Sequence, residues 1–382
     1  MPQNKKNSII ENVFEGLIYL FIICAPINNM LNSLGIYATA AYLASALLIV
    51  GFILSLICLV NRGGRRFGIT TVVLLLAVQI LVLQISGKSI DITVFFPFLS
   101  FCLFVISPTN VSLKNVYCSF YIASIIAAIA SFAFGRIDAN TVERTAGLVD
   151  GSIAVICLTI ALFAKENFKK TRQYKTLKTI SIAASVVVAA FGMSRSRILL
   201  IAIMIVIKLL LVNKDMVFNP RIPLINLVGS VFVIIMVVII TQTNLYSFLY
   251  DAIALRYSGG FNEITRNNEI QAGIQWFTES WLFGKGWGRL VYGRRLYQNH
   301  CMYVALFARG GIFLGSAVIA CLVKLVKFSF KQKNVFCIMM LFVFFVLAYG
   351  NAGFFNYTIS SLFIPLVATL NQDLSMRKSE SE

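Results

Sequence analysis

Long apolar stretches alternate with short polar segments along most of the 382-residue chain. A hydrocarbon core about 30 Å thick requires about 20 apolar residues per helix. The stretches do not show the strict apolar–polar alternation of a transmembrane β-barrel. The pattern predicts an all-α polytopic membrane protein with about twelve transmembrane helices, at residues 13–31, 36–60, 68–86, 92–107, 116–135, 149–164, 179–193, 197–212, 222–242, 301–323, 335–350 and 358–371.

Composition excludes several other classes of protein. The chain is 59% hydrophobic and 13% charged, with a mean hydropathy of +0.84, whereas an ordinary soluble domain is about 45–50% apolar and about 25% charged. A soluble globular enzyme, a disordered protein and a disulfide scaffold are thereby excluded. Nearly all of the eight cysteines lie inside apolar runs and none forms a CxxC pair, so we expect them to pack rather than to bind zinc or form disulfides. Residues 1–382 are predicted to form a single integral membrane domain.

The net charge of +18 would suggest a nucleic-acid partner in a soluble protein, but here its distribution is more informative. If the N-terminus is cytoplasmic, 20 of the 33 Lys and Arg residues fall on inner segments, as the positive-inside rule requires. This predicts a multi-pass membrane protein with both termini cytoplasmic and no nucleic-acid partner.

One outer connection, residues 243–300, is long, and long loops are usually functional. Within it, residues 270–283 carry apolar side chains at helical spacing. They predict a short amphipathic helix that lies on the membrane surface, covers a cavity or simply packs against the bundle.

The outer segments are rich in arginine, whose planar guanidinium suits phosphate and pyrophosphate. Contact with solvent and lipid headgroups is the alternative explanation for any single one of them. The tight outer hairpin at 192–197 is the strongest candidate, because a helix N-terminus there favours an anion and Arg195 and Arg197 add charge. The two lie about 200° apart on a regular helix, so one of them can face a site without the other. The outer basic residues are Lys88, Arg136, Arg144, Arg195, Arg197, Arg256, Arg266, Lys285, Arg289, Arg294 and Arg295.

His300 is the only histidine and stands where the long loop re-enters the membrane. A histidine can accept a proton near neutral pH, although a lone one is often only a satisfied polar residue. Arg309 lies nine residues further on, which places it on the opposite face of a regular helix. We expect Arg309 to pair with an acidic residue elsewhere or to serve function itself.

Taken in order, these features resemble the O-antigen polymerase and O-antigen ligase superfamily of bacterial inner membranes, most clearly across residues 190–315. The shared features are a Ser-Arg hairpin, a long outer loop with Arg256 and Arg266, the phrase Glu279-Ser280-Trp281-Leu282-Phe283-Gly284-Lys285-Gly286, and a histidine that opens a helix containing Gly311. Three positions depart from the family pattern, since Trp281, Cys301 and Arg309 stand where the family has Pro, Asn and Glu.

The resemblance implies a membrane fold like that of the lipid-linked (GT-C-like) glycosyltransferases and an inverting glycosyl transfer at the periplasmic face, without metal or other cofactor. The implied substrates are a glycan on undecaprenyl pyrophosphate as donor and a lipid-linked acceptor, and a chain-length regulator is an implied partner. Arg195, Arg197, Arg266 and Arg256 would bind the pyrophosphate, and His300 would act as the catalytic base. A polymerase is favoured. The alternatives are a ligase that transfers the glycan to lipid A-core, a capsule enzyme, and a flippase or transporter of lipid-linked oligosaccharide.

Overall fold

A computed structural model describes most of the chain, and helices dominate it. Two strands of two residues each, Val291–Tyr292 (β1) and Arg295–Leu296 (β2), pair antiparallel. The described residues are 9–36, 39–57, 68–85, 90–106, 111–134, 149–166, 168, 170–192, 195–216, 263–288, 290–292, 295–296, 301–350 and 353–381.

Among the described residues, two α-helices are short, with six and five residues, and the others have 12 residues or more. Short 3₁₀ turns at Ala25–Ile27 and Gly353–Phe355 join some of them. The α-helices are, in chain order, α1 Ile9–Cys24, α2 Asn28–Ser33, α3 Thr39–Ile57, α4 Ile69–Ile85, α5 Ile92–Ile106, α6 Leu113–Phe134, α7 Ser152–Phe163, α8 Arg172–Gly192, α9 Arg195–Met216, α10 Glu263–Glu279, α11 Met302–Lys331, α12 Val335–Gly350, α13 Tyr357–Ser361 and α14 Phe363–Ser381.

Within the part of the chain that the structure describes, three helical stretches are long and apolar enough to cross a membrane, judged by length and composition. They are Ile9–Ser33, Leu113–Ala133 and Met302–Lys331. Shorter apolar helices also occur, at Thr39–Gly51, Ile69–Ile85, Ile92–Val105, Ser152–Phe163, Leu199–Lys208 and Val335–Tyr349. These features indicate membrane association for the described part of the chain.

The predicted apolar segments correspond closely to the helices. Eleven of the twelve ranges overlap helices, although 358–371 covers parts of α13 and α14 and 179–193 omits the first seven residues of α8; the range 222–242 lies outside the described residues. The range 13–31 is one exception to a continuous helix, because Pro26 lacks a backbone N–H and sits in the 3₁₀ turn between α1 and α2. The range 301–323 is too short, since α11 continues to Lys331.

If successive helices run up and down, the segments before α5 and α7 and after α1 lie at the same end of the bundle, and backbone hydrogen bonds at that end agree with this. At one end, the Asp150 amide donates to the Pro26 carbonyl over 2.8 Å, and the Asp91 amide donates to the Trp287 carbonyl over 2.7 Å. We call this the Asp150 end. At the other end of α7, Glu166 binds Lys178, so we call that the Glu166 end.

Buried apolar side chains fill the space between the helices and extend from Phe14 in α1 to Leu370 in α14. Phenylalanine rings concentrate near the Asp150 end, where Phe101 lies 4.1 Å from Phe354 and 4.7 Å from Phe363 between ring centroids. Buried aromatic pairs of this kind stabilise packing beyond the area that they remove from solvent. The Asp150 end is therefore closely packed against aromatic side chains.

Candidate functional site

Arg197 lies in the first turn of α9, directly after the hairpin that the sequence singled out. Its Nη2 donates to Oδ1 of Asp150 over 3.0 Å and to Oγ of Ser152 over 3.3 Å. The two side chains of the ion pair are only 13% and 14% exposed. Because charge pairs interact more strongly away from water, this guanidinium is held far more firmly than a surface arginine would be.

Three separate parts of the chain fix Asp150 in turn. Its backbone amide binds the Pro26 carbonyl, its Oδ1 accepts from the Ser152 amide over 2.9 Å, and its Oδ2 accepts from Nδ2 of Asn356 over 2.7 Å. Asn356 also caps α13, since its Oδ1 accepts from the Ile359 amide over 3.1 Å. We call Arg197, Asp150, Ser152 and Asn356 the Arg197 network.

A second feature, the glycine turn (residues 281–288), docks onto a break in α11. Gly311 has φ 66° and ψ −171°, so the helical ladder stops there. The Ile312 amide binds the Trp281 carbonyl over 2.7 Å, and the Ala308 carbonyl accepts from the Lys285 amide over 2.8 Å. The Ile312 amide and the Ala308 carbonyl are thus paired with the glycine turn.

The contact at this break is too close for side chains on either glycine. A Cβ on Gly284 would collide with the Arg309 carbonyl, and one on Gly311 would collide with the Leu282 carbonyl. Both residues also have positive φ, which glycine adopts at little cost. The Gly-x-Gly phrase and Gly311, which the resemblance joined only through sequence order, are in direct contact.

Arg309 binds the backbone of the glycine turn, and its exposed fraction is 1%. Its Nη1 donates to the carbonyls of Gly288 over 2.9 Å and of Gly286 over 3.3 Å. The guanidinium carbon lies 5.9 Å from the centre of the Phe355 ring, within cation–π range. These bonds give Arg309 a structural contact with the loop backbone.

Gln79 in α4 completes the attachment of the glycine turn and is 1% exposed. Its Nε2 donates to the Phe283 carbonyl over 2.5 Å and to the Arg309 carbonyl over 2.7 Å. Its Oε1 accepts from the Trp287 indole over 2.9 Å. Both the nitrogen and the oxygen of this buried amide therefore bind at the same junction. Gln79 connects α4 to the glycine turn and to α11.

The segment 353–356 contacts both the Arg197 network and Arg309, which binds the glycine turn. Asn356 belongs to the Arg197 network, and Phe355 lies against Arg309. A Cβ on Gly353 would collide with the Met302 side chain, so Gly353 packs against the first residue of α11. The Arg197 network and the start of α11 are therefore neighbours of one four-residue segment.

The structure describes the other predicted site residues only in part. The backbones of Arg195 and Arg266 lie in the first turns of α9 and α10, and nothing is described of their side chains. Arg256 and His300 lie outside the described residues. Of the predicted pyrophosphate-binding set, Arg197 is the residue whose contacts are described.

The predicted loop helix exists, but its bounds and its faces differ from expectation. It runs over Glu263–Glu279, and residues 280–283 form turns instead of helix. Ala272 is buried, whereas Ile274 and Trp281 are 44% and 56% exposed. Phe277 of the same predicted set is half-buried, and its ring lies 5.8 Å from that of Phe307 in α11. The predicted apolar set therefore divides between an exposed side and the contact with α11.

Lys285, one of the basic residues predicted on the outer side, forms an ion pair with a nearby residue of the same loop. Its Nζ lies 2.5 Å from Oε2 of Glu279. Hydrogen bonds from Lys285 and Gln275 lower the pKa of the Glu279 carboxyl, because they favour its charged form. Lys285 thus has a partner at the surface of the loop.

Sequence reasoning missed Asp150, which the local sequence presents as an isolated acidic residue. Its partner Arg197 is 47 positions away, a separation that no periodicity reveals. One signal was present, since a carboxylate at the outer start of a predicted span is costly without a cationic partner.

The chain matches no protein-family model, and a search of curated proteins found no match either.

Proposed function

We propose that this chain is a surface-polysaccharide polymerase of the O-antigen type. It transfers a growing glycan from undecaprenyl pyrophosphate onto a new lipid-linked repeat unit at the periplasmic face of the bacterial inner membrane. The proposed architecture has about twelve membrane spans in a GT-C-like arrangement, with both termini cytoplasmic and the Asp150 end at the periplasmic side. A chain-length regulator is a proposed partner.

One observation carries this proposal. The Arg197 network contains Asn356, and Gly353 of the same short segment packs against Met302, two residues after His300 in the chain. The catalytic base acts on the attacking hydroxyl and the arginine on the leaving pyrophosphate, and both of these groups lie at the same C1 atom, so the reaction needs the two residues near one site. The shared segment 353–356 supports such proximity.

The proposed chemistry is a single displacement. The acceptor hydroxyl attacks C1 of the donor sugar, the C1–O bond to the pyrophosphate breaks, and His300 takes the hydroxyl proton. Arg195, Arg197, Arg266 and Arg256 balance the negative charge that remains on the pyrophosphate. Fixed positive groups stabilise such developing charge best when they are already in place before reaction, and the buried ion pair of Arg197 supports this requirement.

A gel of surface polysaccharide tests the proposal directly. Deletion of the gene and the His300→Ala variant are both expected to leave a single repeat unit on the lipid core. Arg197→Gln is expected to shorten or abolish the polymer. Matched controls are Cys301→Ser, next to the proposed base, and Arg172→Gln, an exposed arginine that begins α8 at the Glu166 end; both are expected to give wild-type ladders.

Other outcomes identify the competing functions. A lipid core without any repeat unit in the deletion strain would indicate a ligase. Movement of lipid-linked glycan across vesicles that contain the purified protein, with no change in polymer length, would indicate a flippase. A wild-type ladder from His300→Ala would refute the assignment of the base.

A further inference from the structure

We infer that Asp150 and Gly151 are positioning residues that fix the guanidinium of Arg197 for binding a lipid diphosphate. The inference rests on the proposed function and assigns a role to two residues that it does not use. Neither residue is taken to contact the substrate.

The first step is the rigidity of Asp150. Its amide and both carboxylate oxygens are engaged by the Pro26 carbonyl, the start of α7 and Asn356. A carboxylate held from three directions cannot follow the movements of a long side chain. The position of Arg197 Nη2, 3.0 Å from Oδ1, is therefore set by the carboxylate rather than by the flexible arginine stem.

The second step is the space above Gly151. A Cβ at this position would lie 2.7 Å from Nη1 and 3.4 Å from Cζ of Arg197. The guanidinium thus lies directly over the glycine backbone, which only a residue without a side chain allows. Asp150 fixes one edge of the guanidinium. The missing side chain at Gly151 lets the guanidinium lie against the backbone at the start of α7.

The third step concerns the donor that remains. Nε of Arg197 is buried and has no hydrogen-bond partner in the described part of the chain. A buried donor without an acceptor destabilises the folded state, and in this proposal a ligand supplies the acceptor for Nε. A phosphate oxygen is an acceptor of the kind that guanidinium groups prefer.

The test measures binding of polyprenyl diphosphate to the full-length protein in nanodiscs, with polyprenyl monophosphate as the comparison ligand. Arg197→Lys is expected to weaken diphosphate binding about tenfold to a hundredfold, because lysine cannot reproduce the planar fork. Asp150→Asn and Gly151→Ala are each expected to weaken it about tenfold. Asp150→Asn combined with Arg197→Lys is expected to add less than about twofold, since residues that act through one group are not additive.

The control is an ion pair of similar geometry at the other end of the bundle. Glu166→Gln breaks a contact of 2.7 Å with Lys178 and is expected to leave the dissociation constant unchanged even where it lowers the melting temperature. This separates positioning of Arg197 from a general loss of stability.

Two results would overturn the inference alone: wild-type affinity in Asp150→Asn while Arg197→Lys binds weakly, or a full additional loss when the two are combined. If the wild-type protein binds the diphosphate no better than the monophosphate, the proposed function fails and the inference fails with it.

Discussion

Replacement of Gly311 by alanine is expected to detach the glycine turn from α11. The added Cβ would collide with the Leu282 carbonyl and lie 2.7 Å from the Gly284 amide nitrogen. Its backbone conformation, φ 66° and ψ −171°, belongs almost only to glycine and costs about 1–3 kcal/mol for another residue.

The contacts at the break set the rest of the magnitude. Three backbone hydrogen bonds join the glycine turn to α11, from the amides of Lys285, Gly286 and Ile312. Each contributes about 0.5–1.5 kcal/mol. Strain and lost bonds together predict a destabilisation of about 3–7 kcal/mol.

Thermal unfolding of the purified protein in detergent measures this effect, and hydrogen exchange of residues 281–288 locates it. Gly16→Ala is the matched control, because a Cβ at Gly16 meets nothing within 4 Å and alanine favours helix by up to about 1 kcal/mol. A Gly311→Ala protein with the melting temperature of Gly16→Ala and unchanged exchange in the glycine turn would refute this account of the break.

Three further predictions concern buried polar groups. Burial raises the pKa of the Glu166 carboxyl, but hydrogen bonds from Lys178, Lys170 and Tyr174 outweigh it and lower the pKa. Its stabilising effect is therefore full above about pH 4.3, the ordinary value, and is lost as the pH falls through the lowered pKa. Acid melting curves should show a smaller loss for Glu166→Gln than for wild type, and equal losses would contradict the assignment. Arg309→Met is expected to cost about 2 kcal/mol or more, since it leaves buried carbonyls without a donor; a melting temperature at or above wild type would argue against that contact. Gln79→Leu is expected to cost about 2–4 kcal/mol for the same reason and to shift the tryptophan emission, whereas an unchanged spectrum would show that the indole bond to Gln79 is absent.

The helices could be predicted from the sequence because the signal for them is local. An apolar run of the right length excludes water from one continuous stretch of backbone, and range 68–86 matched α4, Ile69–Ile85, almost to the residue. The interruption at Pro26 is equally local, although its consequence, a carbonyl free to bind the Asp150 amide, depends on a distant partner.

The site was predicted less completely because its contacts are not local. Arg197 was a candidate from its charge and its place at a predicted helix N-terminus, yet the carboxylate that holds it is 47 positions away in the chain. Arg309 was expected to pair with an acidic residue or to serve function, and it binds the backbone of a turn that lies more than twenty positions before it. Helical spacing marked Ile274 and Phe277 as one face, but Phe277 packs against Phe307 while Ile274 is 44% exposed, and spacing alone does not separate the two.

The break in α11 has a consequence for how a substrate reaches the interior. The carbonyls of Ala308 and Arg309 have left the helix and depend on amides of the glycine turn and on Gln79 for their bonds. Detachment of the turn would break the hydrogen bonds of three amides, those of Lys285, Gly286 and Ile312, at once, and each buried group left without a partner costs about 1–3 kcal/mol. This part of the loop is consequently fixed to α11, and under the proposed function we expect the lipid-linked substrate to enter by a different route.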